Sequence, residues 1–167
     1  RVLFRSLTQQ FPEIRSFNDS LVKKGIPCIL VSVEKNRPGH VAALHESICS
    51  IPEMACIKMI LYVEHTVDAS DLTVALWRFC NNLDPVRDKF LYKKGSSNYT
   101  ACLGLDGTRK TKELDNFQRD WPNIIVANEA TIQSVDKKWN DLGIGDLIPS
   151  PSLKFKEQMY GEEAVVS

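Results

Sequence analysis

The segment LGLDGTRK, residues 103–110, combines residue types that could bind an anionic ligand. It holds glycines at 104 and 107, a carboxylate, a hydroxyl and two cations. A glycine-bearing loop can bring backbone amides and positive charge close to an anion. Its spacing matches neither the Walker pattern nor GxGxxG, so composition alone favours a tight turn with solvated charges. A nucleotide-binding loop stays open as an alternative.

A second polar cluster, formed by Glu64, His65, Asp68 and Asp71, lies where a predicted strand passes into a predicted helix. Ligands of open parallel sheets usually bind at this carboxyl edge, so a metal site is conceivable. Helix capping plus exposed acids explains the same residues, since a lone histidine among carboxylates is no established ligand spacing. In that interpretation Asp68 or Ser70 caps the helix and Asp71 lies in its first turn.

The histidines and cysteines show no chelating or nucleophilic spacing. His40 and His45 are five residues apart and lie on different sides of one predicted helix, which favours surface or second-layer positions. The cysteines are odd in number, far apart and mostly within apolar segments, which indicates reduced, buried thiols of a cytoplasmic protein. They are Cys28, Cys49, Cys56, Cys80 and Cys102.

The elements that must position these residues alternate between strands and helices. Short apolar runs predict strands over residues 26–33, 57–63 and 89–92. Apolar residues at helical spacing predict helices over residues 3–10, 41–50 and 72–80. This alternation predicts a three-layer α/β fold, in which helices cover both faces of a mostly parallel sheet within a single domain.

The second half of the chain is less regular. Residues 93–122 are polar and irregular, and Asn128 then caps a last helix that ends at Gly143. One face of that helix carries Ile132, Val135, Trp139 and Leu142. We therefore predict an α/β domain over residues 1–145 and a C-terminal extension over residues 146–167.

Composition limits the classes of partner. The chain has 167 residues, of which 43% are hydrophobic and 25% charged, as in ordinary globular proteins. A formal net charge of zero disfavours nucleic acid and anionic membrane surfaces as partners. No apolar run of about 18 residues exists, so no transmembrane segment is predicted. Because the sequence starts at Arg1 without a signal-peptide pattern, we expect a piece of a longer protein.

Several motifs in the correct order resemble the C-terminal domain of UbiD-family decarboxylases. They are QFPEI at 10–14, a strand with an acidic turn and a helix running from Asp71 to Trp77, DPVRD at 84–88, GLDGTRK at 104–110 and RDWP at 119–122. The resemblance covers roughly residues 5–145. Gly107 stands where the family usually has alanine.

The resemblance implies a full-length non-oxidative decarboxylase (carboxy-lyase) that acts on an aromatic or unsaturated carboxylic acid, in ubiquinone- or menaquinone-type biosynthesis. It implies that upstream domains of the same protein hold a prenylated flavin mononucleotide (prenylated FMN), a divalent metal and potassium, together with the catalytic residues. This chain would then be an inactive lid and oligomerisation domain. Its partners would be those upstream domains, the aromatic acid and further copies of the protein. The alternative is a non-catalytic α/β interaction or dimerisation module.

The resemblance also implies a substrate-pocket loop formed by Leu105, Asp106, Gly107, Thr108, Arg109 and Lys110. We expect Leu105 or Thr108 to shape the pocket wall and Asp106 to order the loop through backbone hydrogen bonds. Arg109 and Lys110 are expected to be solvated more than ligand-facing.

Overall fold

The computed structural model of the chain describes residues 7–93, 101–161 and 164–166. The chain divides into two compact units, residues 1–121 and 122–167. Within residues 122–167, the strand Val165–Val166 pairs with Val126–Ala127. The domain boundary near residue 145 stays a prediction.

The first unit is built on a sheet that has five strands among the described residues, in the order β1-β2-β3-β5-β4. The strands are β1 Ile14–Asn18, β2 Cys28–Val33, β3 Met59–Glu64, β4 Lys89–Lys93 and β5 Ala101–Asp106. The central strands β2, β3 and β5 are parallel, whereas β1 and β4 run antiparallel at the two edges. The predicted α/β class is confirmed, and the sheet is mixed.

The strand predictions succeeded for the apolar runs and failed for the polar ones. Strands β2 and β3 are confirmed, and each begins two residues later than predicted. Residues 103–106, predicted as part of a loop, form the end of β5. Strand β4 was predicted to follow a right-handed crossover, yet it pairs antiparallel with β5. Strand β1 was not predicted.

The helices of the first unit follow the predicted pattern. Residues 7–10 are helical (α1), and the remainder of the predicted 3–10 helix lies outside the described residues. Helices α2 His40–Ser50 and α3 Leu72–Asn82 are confirmed, and a short helix α4, Lys112–Asp115, was not predicted. Asp71 itself caps α3, because its side chain accepts a hydrogen bond from the Val74 amide at 3.1 Å. Asp68 instead holds the preceding turn through Ser70.

Buried residues lie on both faces of the sheet. One apolar cluster joins α2 to alternate positions of the strands, as the two-residue strand period requires. Its strand members include Ile29, Val31, Val33, Ile60, Tyr62 and Cys102. The intervening positions Leu30, Leu61 and Val63 are also buried, as are Val74, Ala75 and Phe79 of α3. The sheet is therefore the middle of three layers, and the central strands are covered on both sides.

The second unit contains α5 Glu129–Leu142, α6 Pro151–Phe155 and the two-residue strands β6 Val126–Ala127 and β7 Val165–Val166. Asn128 caps α5 by accepting a hydrogen bond from the Thr131 amide at 2.8 Å, and Gly143 ends the helix at φ +62°, both as predicted. Among residues 7–93, 101–161 and 164–166, no helix is long and apolar enough to cross a bilayer.

Candidate functional site

A cavity of about 560 Å³ opens at the edge of the sheet where the parallel strand β5 ends. Four segments line it: the turn before α2, the start of β4, the end of β5 with its following loop, and α4. This is the carboxyl edge of the parallel strands, where open α/β sheets usually bind their ligands. Asp106 and Lys110 of the predicted loop both lie in its lining.

Asp106 organises the loop that follows β5. Its Oδ1 accepts hydrogen bonds from the Thr108 amide at 2.9 Å and from the Thr108 hydroxyl at 2.5 Å. The Gly107 amide donates to the Tyr62 carbonyl at 2.9 Å, which extends the β3–β5 pairing by one residue. The loop is therefore ordered by Asp106 in the way that the sequence indicated.

Gly107 is a glycine because its neighbours leave no room for a side chain. A Cβ added there would lie 2.4 Å from Phe79 Cδ2 and 3.0 Å from the Tyr62 carbonyl oxygen. The requirement is close approach of the loop to α3, and no unusual φ is involved. The aromatic ring of Phe79 thus occupies the space that an alanine at this position would need.

Lys110 is buried, contrary to the expectation that it is solvated. Its side chain is 2% exposed, and its Nζ donates to the carbonyls of Asp106 at 2.7 Å and Thr108 at 2.9 Å. Nζ also lies 3.2 Å from Asp106 Oδ1 and 3.6 Å from Asp88 Oδ1. The loop folds back so that the ammonium group replaces water on these oxygens, which offsets the cost of burying the charge.

The DPVRD motif forms a turn that closes on itself and supplies one of these carboxylates. Asp84 accepts hydrogen bonds from the amides of Val86 at 2.8 Å and Arg87 at 3.1 Å, which lower its pKa. The guanidinium of Arg87 forms two bonds of 2.7 Å with Asp88, and this contact raises the pKa of Arg87. The turn thereby places Asp88 beside Lys110.

Lys35 was missed by the sequence analysis and holds the same loop from the other side. Its Nζ donates to Thr108 Oγ1 at 3.1 Å, to the Arg109 carbonyl at 2.9 Å and to both oxygens of Asp115 at 2.7 Å. Its side chain is 8% exposed. The sequence signal for Lys35 was its position two residues after β2, at the carboxyl edge of a predicted parallel strand.

Glu64 is a buried structural residue, neither an exposed acid nor part of a metal site with its neighbours in sequence. Its carboxylate accepts bonds from Arg78 and, at 3.2 Å, from the Asn82 side-chain amide. Asn82 also donates to the Gly107 carbonyl at 3.1 Å and accepts from the Trp121 indole at 2.9 Å. Glu64 therefore supports the back of the loop through α3.

The two histidines of α2 are buried, so of the two positions predicted for them, surface or second-layer, the surface one was wrong. Each is 1% exposed. His40 Nδ1 accepts a bond from the Asn36 amide at 3.3 Å, and its Nε2 lies 3.3 Å from Glu13 Oε1. His40 thus connects the QFPEI motif to the start of α2. His45 contacts Tyr62 and β5 inside the core.

The cysteine prediction holds in part. All of the cysteines lie among the described residues and are in the thiol form. Cys28, Cys49 and Cys102 are buried, and burial raises the pKa of Cys28. Cys56 and Cys80 are exposed, so the expectation of burial was wrong for these two.

The predicted pocket residues do not all reach the cavity. Asp106 and Lys110 line it, Leu105 is partly exposed within β5, and Thr108 is 1% exposed behind the loop. The cavity wall at this point is therefore made by the Asp106–Lys110 pair, with Thr108 as internal support. Contact between these residues and a substrate stays a prediction.

The charges of the cavity do not fit a phosphate group. Its lining carries four carboxylates and three cations, and both Arg87 and Lys110 are already bound to carboxylates. The Thr108 amide is likewise occupied by Asp106. A phosphate needs unoccupied donors and positive charge. The site therefore does not suit the phosphate of flavin mononucleotide, and the same argument disfavours the nucleotide-loop alternative.

Comparison with known proteins identifies the family. The sequence profile of the 3-octaprenyl-4-hydroxybenzoate carboxy-lyase C-terminal domain matches residues 1–108. The chain belongs to this family. The resemblance to UbiD-family decarboxylases is thereby confirmed.

Relatives of the UbiD C-terminal domain are much longer than this chain. An uncharacterized protein of Archaeoglobus fulgidus is 23% identical over 152 residues, which cover 85% of the chain and 31% of the relative. An uncharacterized protein of Aquifex aeolicus is 27% identical over 123 residues, which cover 68% of the chain and 25% of the relative. The chain thus spans about a third or less of the length of these relatives.

Solved UbiD-class structures share the fold. The closed form of vanillic acid decarboxylase from Sedimentibacter hydroxybenzoicus superposes with a TM-score of 0.62 at 16% identity, covering 86% of this chain and 31% of that one. An evolved dimeric form of HmfF from Pelotomaculum thermopropionicum, in complex with prFMN, superposes with a TM-score of 0.52 at 19% identity. The match covers 72% of this chain and 26% of that one. At these identities the likeness establishes the α/β fold alone.

Proposed function

We propose that this chain is the C-terminal lid and oligomerisation domain of a non-oxidative decarboxylase that acts on an aromatic or unsaturated carboxylic acid. The observation that carries the proposal is the convergence of the motifs at one edge of the sheet. DPVRD supplies Asp88, GLDGTRK supplies Asp106 and Lys110, and RDWP supplies Trp121 behind them. Sequence motifs that are far apart in the chain but meet at one cavity support a common role for that surface.

This edge of the sheet is suited to form one wall of an active site whose reaction centre lies in the upstream domains. Lys110, Asp106 and Asp88 fix one another through buried contacts, so the wall keeps its shape without bound ligand. Closing such a wall over a bound aromatic acid expels water and fixes its orientation. The vanillic acid decarboxylase has been solved in open and closed forms, which supports domain closure as a property of this structural class.

The cofactor belongs, in this proposal, to the upstream domains. Prenylated FMN, a divalent metal and potassium would be bound there, because the cavity of this chain has the wrong charge for a phosphate. The HmfF structures contain prFMN or FMN, which supports a flavin in the full-length protein. We further propose a cytoplasmic enzyme of ubiquinone- or menaquinone-type biosynthesis.

The proposal can be tested with the full-length protein and with a truncated protein that keeps the upstream domains and lacks the whole of this chain, residues 1–167. After reconstitution with prenylated FMN, carbon dioxide release would be measured over a panel of aromatic and unsaturated acids. We expect turnover by the full-length protein, and cofactor binding without turnover by the truncation. Full kcat/KM in the truncation contradicts the lid assignment, and an inactive but cofactor-loaded full-length protein contradicts the decarboxylase assignment.

A further inference from the structure

Two thiols and an imidazole meet inside the core, and none of these three side chains lines the cavity at the sheet edge. His45 and Cys49 lie one turn apart on α2, and Cys102 faces them from β5. Among the described residues, this is the group whose potential ligand atoms gather within 4.8 Å of one another. The three residues are 1%, 3% and 0% exposed, respectively. None of the three takes part in the contacts of Lys110 with Asp88 and Asp106 at the cavity.

The separation between Cys49 and His45 is close to that between two ligands of one tetrahedral metal ion. Cys49 Sγ lies 3.8 Å from His45 Nδ1 and 3.6 Å from Nε2. Zinc bonds to sulfur and nitrogen place two such ligand atoms roughly 3.5 Å apart in tetrahedral geometry. The ligand atoms of all three residues lie within 4.8 Å of one another, so binding an ion would draw them closer together.

The hydrogen bonds of His45 select the nitrogen that would bind. Nε2 lies 3.1 Å from the Cys102 carbonyl oxygen, which can only accept, so Nε2 carries the hydrogen. The lone pair of Nδ1 then faces the Tyr62 hydroxyl at 3.0 Å. Metal-binding histidines commonly donate their other ring N–H to a carbonyl in this way.

The surroundings leave room for the imidazole and exclude water. A Cβ at Gly104 would lie 2.8 Å from His45 Nδ1 and 2.3 Å from Phe90, so only glycine fits opposite the cluster. The rings of Phe90 and Tyr62 lie 5.4 Å and 5.9 Å from the His45 ring.

We propose that Cys49 Sγ, Cys102 Sγ and His45 Nδ1 bind one zinc ion, with the Tyr62 hydroxyl as the fourth group. Both thiols release their protons to solvent on binding, and the two thiolates then balance the charge of the dication. A buried site requires this neutrality, which a monovalent ion would not give. Thiolate and imidazole ligands select zinc over magnesium or calcium. The ion would join α2 to β5.

The test uses the whole chain, purified under reducing conditions and reconstituted anaerobically with zinc or cobalt(II). We expect one zinc per chain by mass spectrometry of the metal, and a thiolate-to-cobalt charge-transfer absorption. Cys49→Ser and Cys102→Ser each weaken that absorption, because each removes one of the two thiolates, whereas the exposed Cys56→Ser retains it in full. Tyr62→Phe keeps the band but lowers zinc affinity by about 10- to 100-fold.

Two results would overturn the site. One is a wild-type chain that binds neither zinc nor cobalt(II) after anaerobic reconstitution. The other is a charge-transfer band that is as strong in folded Cys49→Ser as in the wild type, with circular dichroism as the check on folding. Should the serine variants not fold, X-ray absorption of the zinc-loaded wild type decides: two sulfur ligands and at least one nitrogen support the site, and any other set of sulfurs contradicts it.

Discussion

Lys110 is the central residue of the ionic contacts that line the cavity at the sheet edge. Its ammonium group lies between the Asp88 and Asp106 carboxylates, and all three side chains are largely buried. Replacing it with methionine leaves buried carboxylate charge without a counterion. We expect Lys110→Met to lower the free energy of unfolding by about 3–5 kcal/mol, the cost of breaking a buried ion pair.

Urea denaturation would measure this loss. The matched control is Lys24→Met, an exposed lysine at the end of a short turn, for which a change within about 0.5 kcal/mol is expected. Equal effects of the two substitutions would show that the Lys110 contacts do not stabilise the fold.

Asp84 should make the stability of the fold depend on pH in the acid range. Amide hydrogen bonds from Arg87 and Val86 hold its pKa below the ordinary 3.8. Because the folded pKa is the lower one, the carboxylate stabilises the fold above pH 3.8 and loses this contribution as the pH falls through the folded pKa. We expect the stability difference between wild type and Asp84→Asn to shrink in that range in urea titrations. A difference that does not change with pH would contradict this.

Gly107 and Phe79 should behave as a coupled pair. Gly107→Ala pushes a methyl group into the Phe79 ring and is expected to cost about 1–3 kcal/mol, as overpacking does. Phe79→Leu removes the clashing ring atoms, so the double variant should lose less stability than the sum of the single variants. A double-mutant cycle by thermal or urea unfolding measures the coupling. Simple additivity would mean that the loop relaxes away from α3.

At the level of elements, the sequence predicted the strands and helices that have a regular pattern of apolar residues. Strands β2 and β3 and helices α2 and α3 carry dense apolar residues at their characteristic periods. Strand β5 has the correct two-residue burial period, yet its buried positions are Cys102, Gly104 and Asp106. A pattern that counts apolar side chains does not register a glycine and an aspartate as core, so the strand was missed.

The candidate site was located by motif, but its internal contacts were not predictable. Lys110, Glu64 and His45 are polar residues that local patterns place at the surface. Their partners, among them Asp88 and Arg78, become neighbours only after the sheet and its helices assemble. Burial of such groups follows from tertiary pairing, which spacing along the chain does not report.

Helix α5 has an apolar face that the second unit leaves open. Within the described part of the chain, α5 buries none of its residues, and Val135 and Leu142 are 43% and 53% exposed. Since we propose an oligomeric protein, contact between copies through this face is expected. Leu142→Glu should shift sedimentation toward the monomer, whereas Lys137→Glu on the polar side should not. A monomeric wild type contradicts this expectation.

At the scale of the whole molecule, the first unit should fold without the second. The large apolar cluster consists of residues from Leu7 to Cys102, all within residues 1–121. The family profile also ends inside this unit, at residue 108. We expect a chain of residues 1–121 to show cooperative thermal unfolding and dispersed amide resonances. An unstructured spectrum would show that residues 122–167 are required for the fold.

Strand β4 closes one side of the sheet, and its outer residues affect how copies of the protein can meet. Lys89 and Lys93 flank Leu91 on the exposed positions of this short strand, and Leu91 is 58% exposed. An incoming strand from another chain would have to bring its own side chains against two ammonium groups and remove them from water. Growth of the sheet from molecule to molecule is thereby discouraged at β4.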